Sequence, residues 1–140
     1  MDKAKVLFLC TGNSARSQMA EAFLRKYGGD RYEALSAGLE PKGIHPLTVK
    51  AMAEIGIRLD NQKSKSLKQY LGKENIAHLI TVCGHAEENC PYAFLRTAGE
   101  HIHWHFEDPA AAGGTEAQQL EKFREVRDQI KKHVKNWLAS

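Results

Sequence analysis

The sequence is short of the features that mark most specialised protein classes. No apolar run approaches the ~18 residues that a membrane-spanning helix needs. The longest early one, Val6 to Cys10, is shorter than a secretory signal core, and polar Thr11-Gly12-Asn13-Ser14 rather than an A-x-A site comes directly after it. There are only three cysteines in 140 residues, an odd number that argues against a secreted disulfide framework. Repeats, linkers and low-complexity stretches are missing, which excludes collagen-like and coiled-coil architectures. Charge of one sign is missing too: 20 basic against 17 acidic residues leave a net charge of +3. That suits a small anionic ligand and is too weak to argue for nucleic acid. The expectation is one domain over residues 1–140: cytoplasmic, monomeric, with neither a nucleic-acid nor a membrane partner.

What the chain does contain is alternation. Lys5 to Cys10 is a compact apolar run of the kind buried on both faces of a parallel sheet. A helical stretch opens near Ser17, with Met19, Ala20, Phe23, Leu24 and Tyr27 on its inner face, and Gly28-Gly29 ends it. Glu33 to Ala37 reads as a second strand. Pro46 starts a second helix carrying Val49, Met52, Ala53 and Ile55. Ser64 to Leu71 reads as a weaker helical turn, and Ala77 to Val82 as a third strand running into Cys83. His101 to Phe106 alternates polar and apolar residues with the period of a fourth strand. Thr115 and Gln118 form a capping box ahead of a long amphipathic helix bearing Leu120, Phe123, Val126, Ile130, Val134 and Trp137. This order predicts an α/β fold: a four-stranded parallel sheet with helices on both faces. Ligands of such sheets bind beyond the carboxyl ends of the strands, which gathers Cys10, Cys83 and the loop after Phe106 around one crevice.

The segment Cys10-Thr11-Gly12-Asn13-Ser14-Ala15-Arg16-Ser17 lies between the first strand and the first helix. Short residues including a glycine can curl so that successive N–H groups of residues 11–17 converge on an anion. The helix N-terminus adds free N–H groups and the positive end of its dipole. Arg16 supplies a planar fork that matches two oxygens of a tetrahedral oxyanion. The same field favours thiolate over thiol at Cys10, and a hydrogen bond from Ser17 would favour it further. Nucleophile and substrate cradle thus coincide. Asp108, held extended by Pro109, stands at the same sheet edge as a candidate proton donor. Cys83 and Cys90 read either as buried inert thiols or as a redox pair that supplies two electrons by becoming a disulfide. Their spacing is not that of a zinc site, and neither metal nor cofactor is expected. His101, His103 and His105 share one strand face, read as a solvated polar face; His85 sits in the segment between the cysteines. Gly38-x4-Gly43 lacks a following Lys-Ser/Thr and is no nucleotide loop.

Phe8-Leu9-Cys10-Thr11-Gly12-Asn13-Ser14, Arg16-Ser17-Gln18-Met19-Ala20-Glu21, Ser36-Ala37-Gly38 and Asp108-Pro109-Ala110 together resemble the thioredoxin-coupled arsenate reductases, which share the fold of low-molecular-weight tyrosine phosphatases. The resemblance implies reduction of arsenate to arsenite, for arsenic detoxification, by a Cys10–Cys83–Cys90 relay. Asp108 would be the general acid, thioredoxin the electron donor, and phosphate-ester hydrolysis a weak side activity. In some family members Asn13, Glu21 and Ser36 match positions that surround a potassium ion. Their remaining ligand is an aspartate where this chain has Lys65, whose ammonium is expected to take the cation's place. The family often has a further cysteine where this chain has Ala15. Two alternatives stay open. A phosphatase is disfavoured by Gln18, where those enzymes usually carry proline, and by the lack of tyrosines after Asp108-Pro109. An oxyanion or redox sensor would use the same loop without turnover.

Overall fold

The computed structural model describes residues 3–70, 75–84, 86 and 99–140. Among the described residues the helices and strands follow in the order β1 (Ala4–Cys10), α1 (Arg16–Gly28), β2 (Tyr32–Gly38), α2 (Pro46–Ala53), β3 (Ile76–Thr81), β4 (Glu100–His103) and α3 (Glu116–Ala139). The strands make one sheet in the order β2-β1-β3-β4, and every pairing is parallel. The α/β class and the four-stranded parallel sheet expected from the alternation are therefore what the chain adopts. β1 is central, and Val6, Leu7, Phe8 and Leu9 are wholly buried, as the two-sided apolar run requires. α1 packs on β1 and β2, while α3 packs against α1 and α2. Phe23, Met52, Phe123, Ile130 and Val134 fill the layer between them.

Helix ends follow local chemistry. Thr115 and Gln118 form the reciprocal capping box that the sequence announces. His45 caps α2 through Nδ1, which accepts from the Leu47 N–H at 3.0 Å. α1 begins one residue earlier than expected, at Arg16, and no side chain caps it. Its first N–H groups thus remain available at the end of β1.

Two elements depart from expectation. The fourth strand covers residues 100–103 rather than 101–106. Its final rung is the Trp104 N–H donating to the Thr81 carbonyl at 2.9 Å, beyond which β3 has ended. Phe106 is nevertheless buried, so the alternation tracks side-chain burial after the ladder stops. His101, His103 and His105 are exposed. Of the turn expected over Ser64–Leu71, whose last residue lies outside the described ones, the described part holds a 3-10 turn at Leu67–Gln69, because the chain just before it pairs with the end of β2 through a Gly38–Ser66 bridge.

Candidate active site

Every carbonyl from Cys10 to Ala15 is tied away from the loop's concave side. Leu39, Glu40, Lys42 and His45 donate their backbone N–H groups to the carbonyls of Cys10, Thr11, Gly12 and Ser14 at 3.2, 2.8, 2.9 and 3.0 Å. The Gln18 amide donates to the Asn13 carbonyl at 3.1 Å, and Met19 N–H to that of Ala15 at 2.9 Å. A peptide whose carbonyls all point outward turns its N–H groups inward, the arrangement that holds an anion. Asn13 makes the curl possible by taking φ +48, the one non-glycine residue in the left-handed region among the described residues. Gly38 permits the close approach of β2: a Cβ there would stand 2.7 Å from the Thr11 carbonyl oxygen and 2.9 Å from the Asn13 nitrogen.

Around Cys10 the hydrogen bonds point toward the sulfur. Asn13 N–H donates to Sγ at 3.3 Å, and Ser17 Oγ lies 2.8 Å from it. The Asn13 amide donates to Ser17 Oγ at 2.8 Å, which leaves the Ser17 proton to point at sulfur. Both donors are directed at the nucleophilic sulfur. The same Asn13 amide donates to Ser36 Oγ at 3.0 Å, and Ser36 in turn donates to Glu21. Arg25 also pairs with Glu21.

This support extends through residues that sequence reading did not assign to the site. Gln18 Nε2 donates to Asn13 Oδ1 and to the Lys63 carbonyl, each at 2.9 Å. Gln62 Nε2 fixes Gln18 by donating to its Oε1 at 2.8 Å, and Arg25 donates to Gln62 Oε1 at 2.9 Å. Gln18 is fully buried and Gln62 nearly so. A long-range amide pair has no local sequence signature; the only available clue was a polar residue on the otherwise apolar inner face of α1.

Lys65 reaches the same cluster. Its N–H donates to Asn13 Oδ1 at 2.7 Å, and its ammonium lies 3.6 Å from Glu21 Oε1 while donating to the Lys63 carbonyl at 2.6 Å. Burial pushes the Lys65 ammonium below the ordinary lysine range, and the Glu21 carboxylate opposes that. A potassium ion does not fit this donor set. The Glu21 oxygens already meet Arg25, Ser36 and Lys65, and Asn13 Oδ1 already accepts from Gln18 and Lys65. No group of His, Cys, Asp and Glu suited to a metal occurs among the described residues.

The loop opens on a cavity of about 550 Å³ lined by Cys10, Thr11, Gly12, Ser14, Ala15 and Arg16 from the loop, with Cys83 and Asp108 opposite. Arg16 is oriented by the Phe106 carbonyl, to which Nη1 donates at 3.1 Å, and its Nη2 lies 3.8 Å from Asp108 Oδ2. Asp108 is extended, half exposed, and fixed by the Ala110 N–H donating to Oδ1 at 3.0 Å. Its second carboxyl oxygen is thereby left toward the arginine. Cys83 and Cys10 are both buried free thiols. Cys83 Sγ lies 3.5 Å from Thr11 Oγ1 and accepts from the Ala86 N–H at 3.4 Å. The structure thus brings Cys10, Thr11, Gly12, Ser14, Ala15, Arg16, Cys83 and Asp108 to one cavity, with Asn13, Ser17, Glu21, Ser36 and Lys65 behind it. His85 and Cys90 lie outside the described residues.

Residues 5–140 match the model of the low molecular weight phosphotyrosine protein phosphatase family. The chain is similar to the arsenate reductase of Halalkalibacterium halodurans, with 45% identity over 98% of this chain and 96% of that protein. The arsenate reductase of Bacillus subtilis is 42% identical over the same shares. Among solved structures, an arsenate reductase in the phosphate binding state superposes with a TM-score of 0.81 at 35% identity, covering 97% of each chain.

Proposed function

The chain belongs to the low molecular weight phosphotyrosine protein phosphatase family and stands among its arsenate reductases; from that premise we propose that it reduces arsenate to arsenite, for arsenic detoxification, by passing a disulfide along Cys10, Cys83 and Cys90. Arsenate sits in the loop, its oxygens on the N–H groups of residues 11–17 and on the Arg16 fork. The Cys10 thiolate forms a sulfur–arsenic bond while Asp108 protonates an arsenate hydroxyl, which leaves as water. The Cys83 thiolate then attacks the Cys10 sulfur. The sulfur–arsenic pair of electrons stays on arsenic, so arsenic(V) becomes arsenite as two thiols become the Cys10–Cys83 disulfide. Cys90 attacks Cys83 and frees Cys10, and a dithiol donor of the thioredoxin class reduces the Cys83–Cys90 disulfide.

The observation that carries this reading is the second buried sulfur in the cavity, 3.5 Å from the hydroxyl of loop residue Thr11. An ester hydrolase needs only Cys10, because water regenerates it. Phosphate-ester cleavage is expected as a weak side reaction, since the first step is shared. Lys65 acts as the built-in cation of the support cluster, so turnover is expected to be the same in potassium and sodium buffers. Marked activation by potassium would contradict that role. No helix among the described residues is long and apolar enough to cross a membrane, and the protein is taken to act as a monomer in the cytoplasm. The test is arsenite production with thioredoxin, thioredoxin reductase and NADPH, beside a phosphatase assay. Arsenite-linked NADPH oxidation supports the reading; ester hydrolysis without it would replace reductase by phosphatase.

A further inference from the structure

The cations of the cavity are unequally committed. Arg16 donates to the Phe106 carbonyl and faces Asp108, so part of its charge is already answered. Cys10 as a thiolate adds a negative charge beside it. An arsenate or phosphate dianion entering this space meets the Cys10 thiolate and, beside the loop N–H groups, one arginine whose charge is shared with a carbonyl and a carboxyl, a balance that a second cation would improve.

Lys42 also lines the cavity. Its backbone N–H donates to the Gly12 carbonyl at 2.9 Å, which fixes where its side chain departs. Its stem lies over Gly12: Cδ and Cγ stand 3.4 and 3.6 Å from where a Gly12 Cβ would be. The turn is closed by Gly43 at φ +86, a conformation that suits glycine. From Cδ, which lies against Gly12 of the loop, the ammonium is only two bonds further on, and the residue lines the cavity. Among the described residues it makes no hydrogen bond or ion pair. His45, the other nitrogen base lining the cavity, spends Nδ1 accepting from Leu47.

We infer that Lys42 is the second side-chain cation of the oxyanion site, a specificity residue that draws a tetrahedral dianion into the loop and lowers its dissociation constant without touching the sulfur chemistry. The inference rests on the loop being an oxyanion cradle, as proposed above. It predicts a division of labour. Arg16 holds the anion in reacting geometry, whereas Lys42 acts through charge at the entrance, where salt screens it.

The experiment measures protection of Cys10 from iodoacetamide by inorganic phosphate, at several ionic strengths, in the parent protein, Lys42→Met and Lys42→Arg. Lys42→Met is expected to raise the half-protecting phosphate concentration about tenfold, the order expected of one unit charge acting on a dianion in a partly screened site. It should also flatten the salt dependence, while Lys42→Arg stays within about twofold of the parent. In arsenate turnover the same loss should fall on KM, with kcat retained. Unchanged phosphate protection in Lys42→Met would overturn the inference. So would a loss that arginine fails to restore, which would assign the effect to packing over Gly12. Lys42-dependent protection without arsenite production would leave this inference standing and remove only the reductase reading.

Discussion

Cys10 and Cys83 line one cavity, yet the protein holds them in different ways. Around Cys10 the contacts, 2.8 Å to Ser17 Oγ and 3.3 Å from the Asn13 N–H, continue outward, from Ser17 and Asn13 through Gln18 and Gln62 to Arg25, and through Ser36 to Glu21. Around Cys83, among the described residues, there are two contacts, 3.5 Å to Thr11 and 3.4 Å to Ala86, and none of those residues fills the space where a Gly84 Cβ would be. The difference matches two tasks. Capturing an anion gains from donors fixed before it arrives, because nothing must then reorganise in the transition state. Passing a disulfide needs a sulfur to travel from van der Waals distance to a bond of ~2.05 Å, which a rigid shell would forbid.

The largest effects should come from removing the sulfurs themselves, and they should split by task. Cys10→Ser is expected to lose both arsenate turnover and ester cleavage, to background. Cys83→Ser should lose arsenite production alone and keep the ester side reaction. Equal loss of both activities in Cys83→Ser would erase the distinction between holding and relaying; parallel arsenite and phosphatase assays decide it.

A smaller effect sharpens the same contrast from behind the loop. Gln18→Leu strips the Asn13 carbonyl of its hydrogen bond and takes one of two from Asn13 Oδ1 and from the Gln62 amide, which keep the Lys65 N–H and the backbone carbonyl of residue 18. The orphaned carbonyl costs about 1–3 kcal/mol. The expected outcome is a drop in thermal stability with kcat/KM about tenfold lower and a changed pH profile of Cys10 alkylation. Cys83 alkylation in the folded protein should be unaffected. A stability loss without any change at Cys10 would reduce the amide pair to ordinary packing.

The smallest effect lies far from either sulfur. Arg124, and then Arg127, hold the Glu54 carboxyl between α2 and α3, pushing it down to about 2. The folded value lies below the unfolded one, so this stabilisation is complete above the unfolded value and fades as pH falls toward 2. Glu54→Gln should therefore lower Tm near neutral pH, with the gap from the parent narrowing between pH 4.5 and about 2. Arsenate turnover at neutral pH should not change. Melting curves across that range test it, and a gap that widens in acid would contradict the assignment.

What could be read from the chain followed the reach of its signals. The anion loop was legible because its chemistry is contiguous: a cysteine, short residues and an arginine between a buried strand and a helix. Asp108 was legible because Pro109 restricts it locally. Gln18, Gln62 and Lys42 were not, since their roles exist only once residues distant in sequence meet the loop. The fourth strand was overextended for a related reason. Alternation through Trp104 and Phe106 reports which side chains are covered, whereas strand length depends on where β3 ends.

The central claim, that electrons leave arsenate's captor through a neighbouring sulfur, is tested most directly by trapping the first disulfide. Cys90→Ser protein treated with arsenate, quenched by alkylation and digested, should yield a peptide pair joined through Cys10 and Cys83 together with one equivalent of arsenite. Arsenite release with both cysteines recovered as separate alkylated peptides would contradict the account.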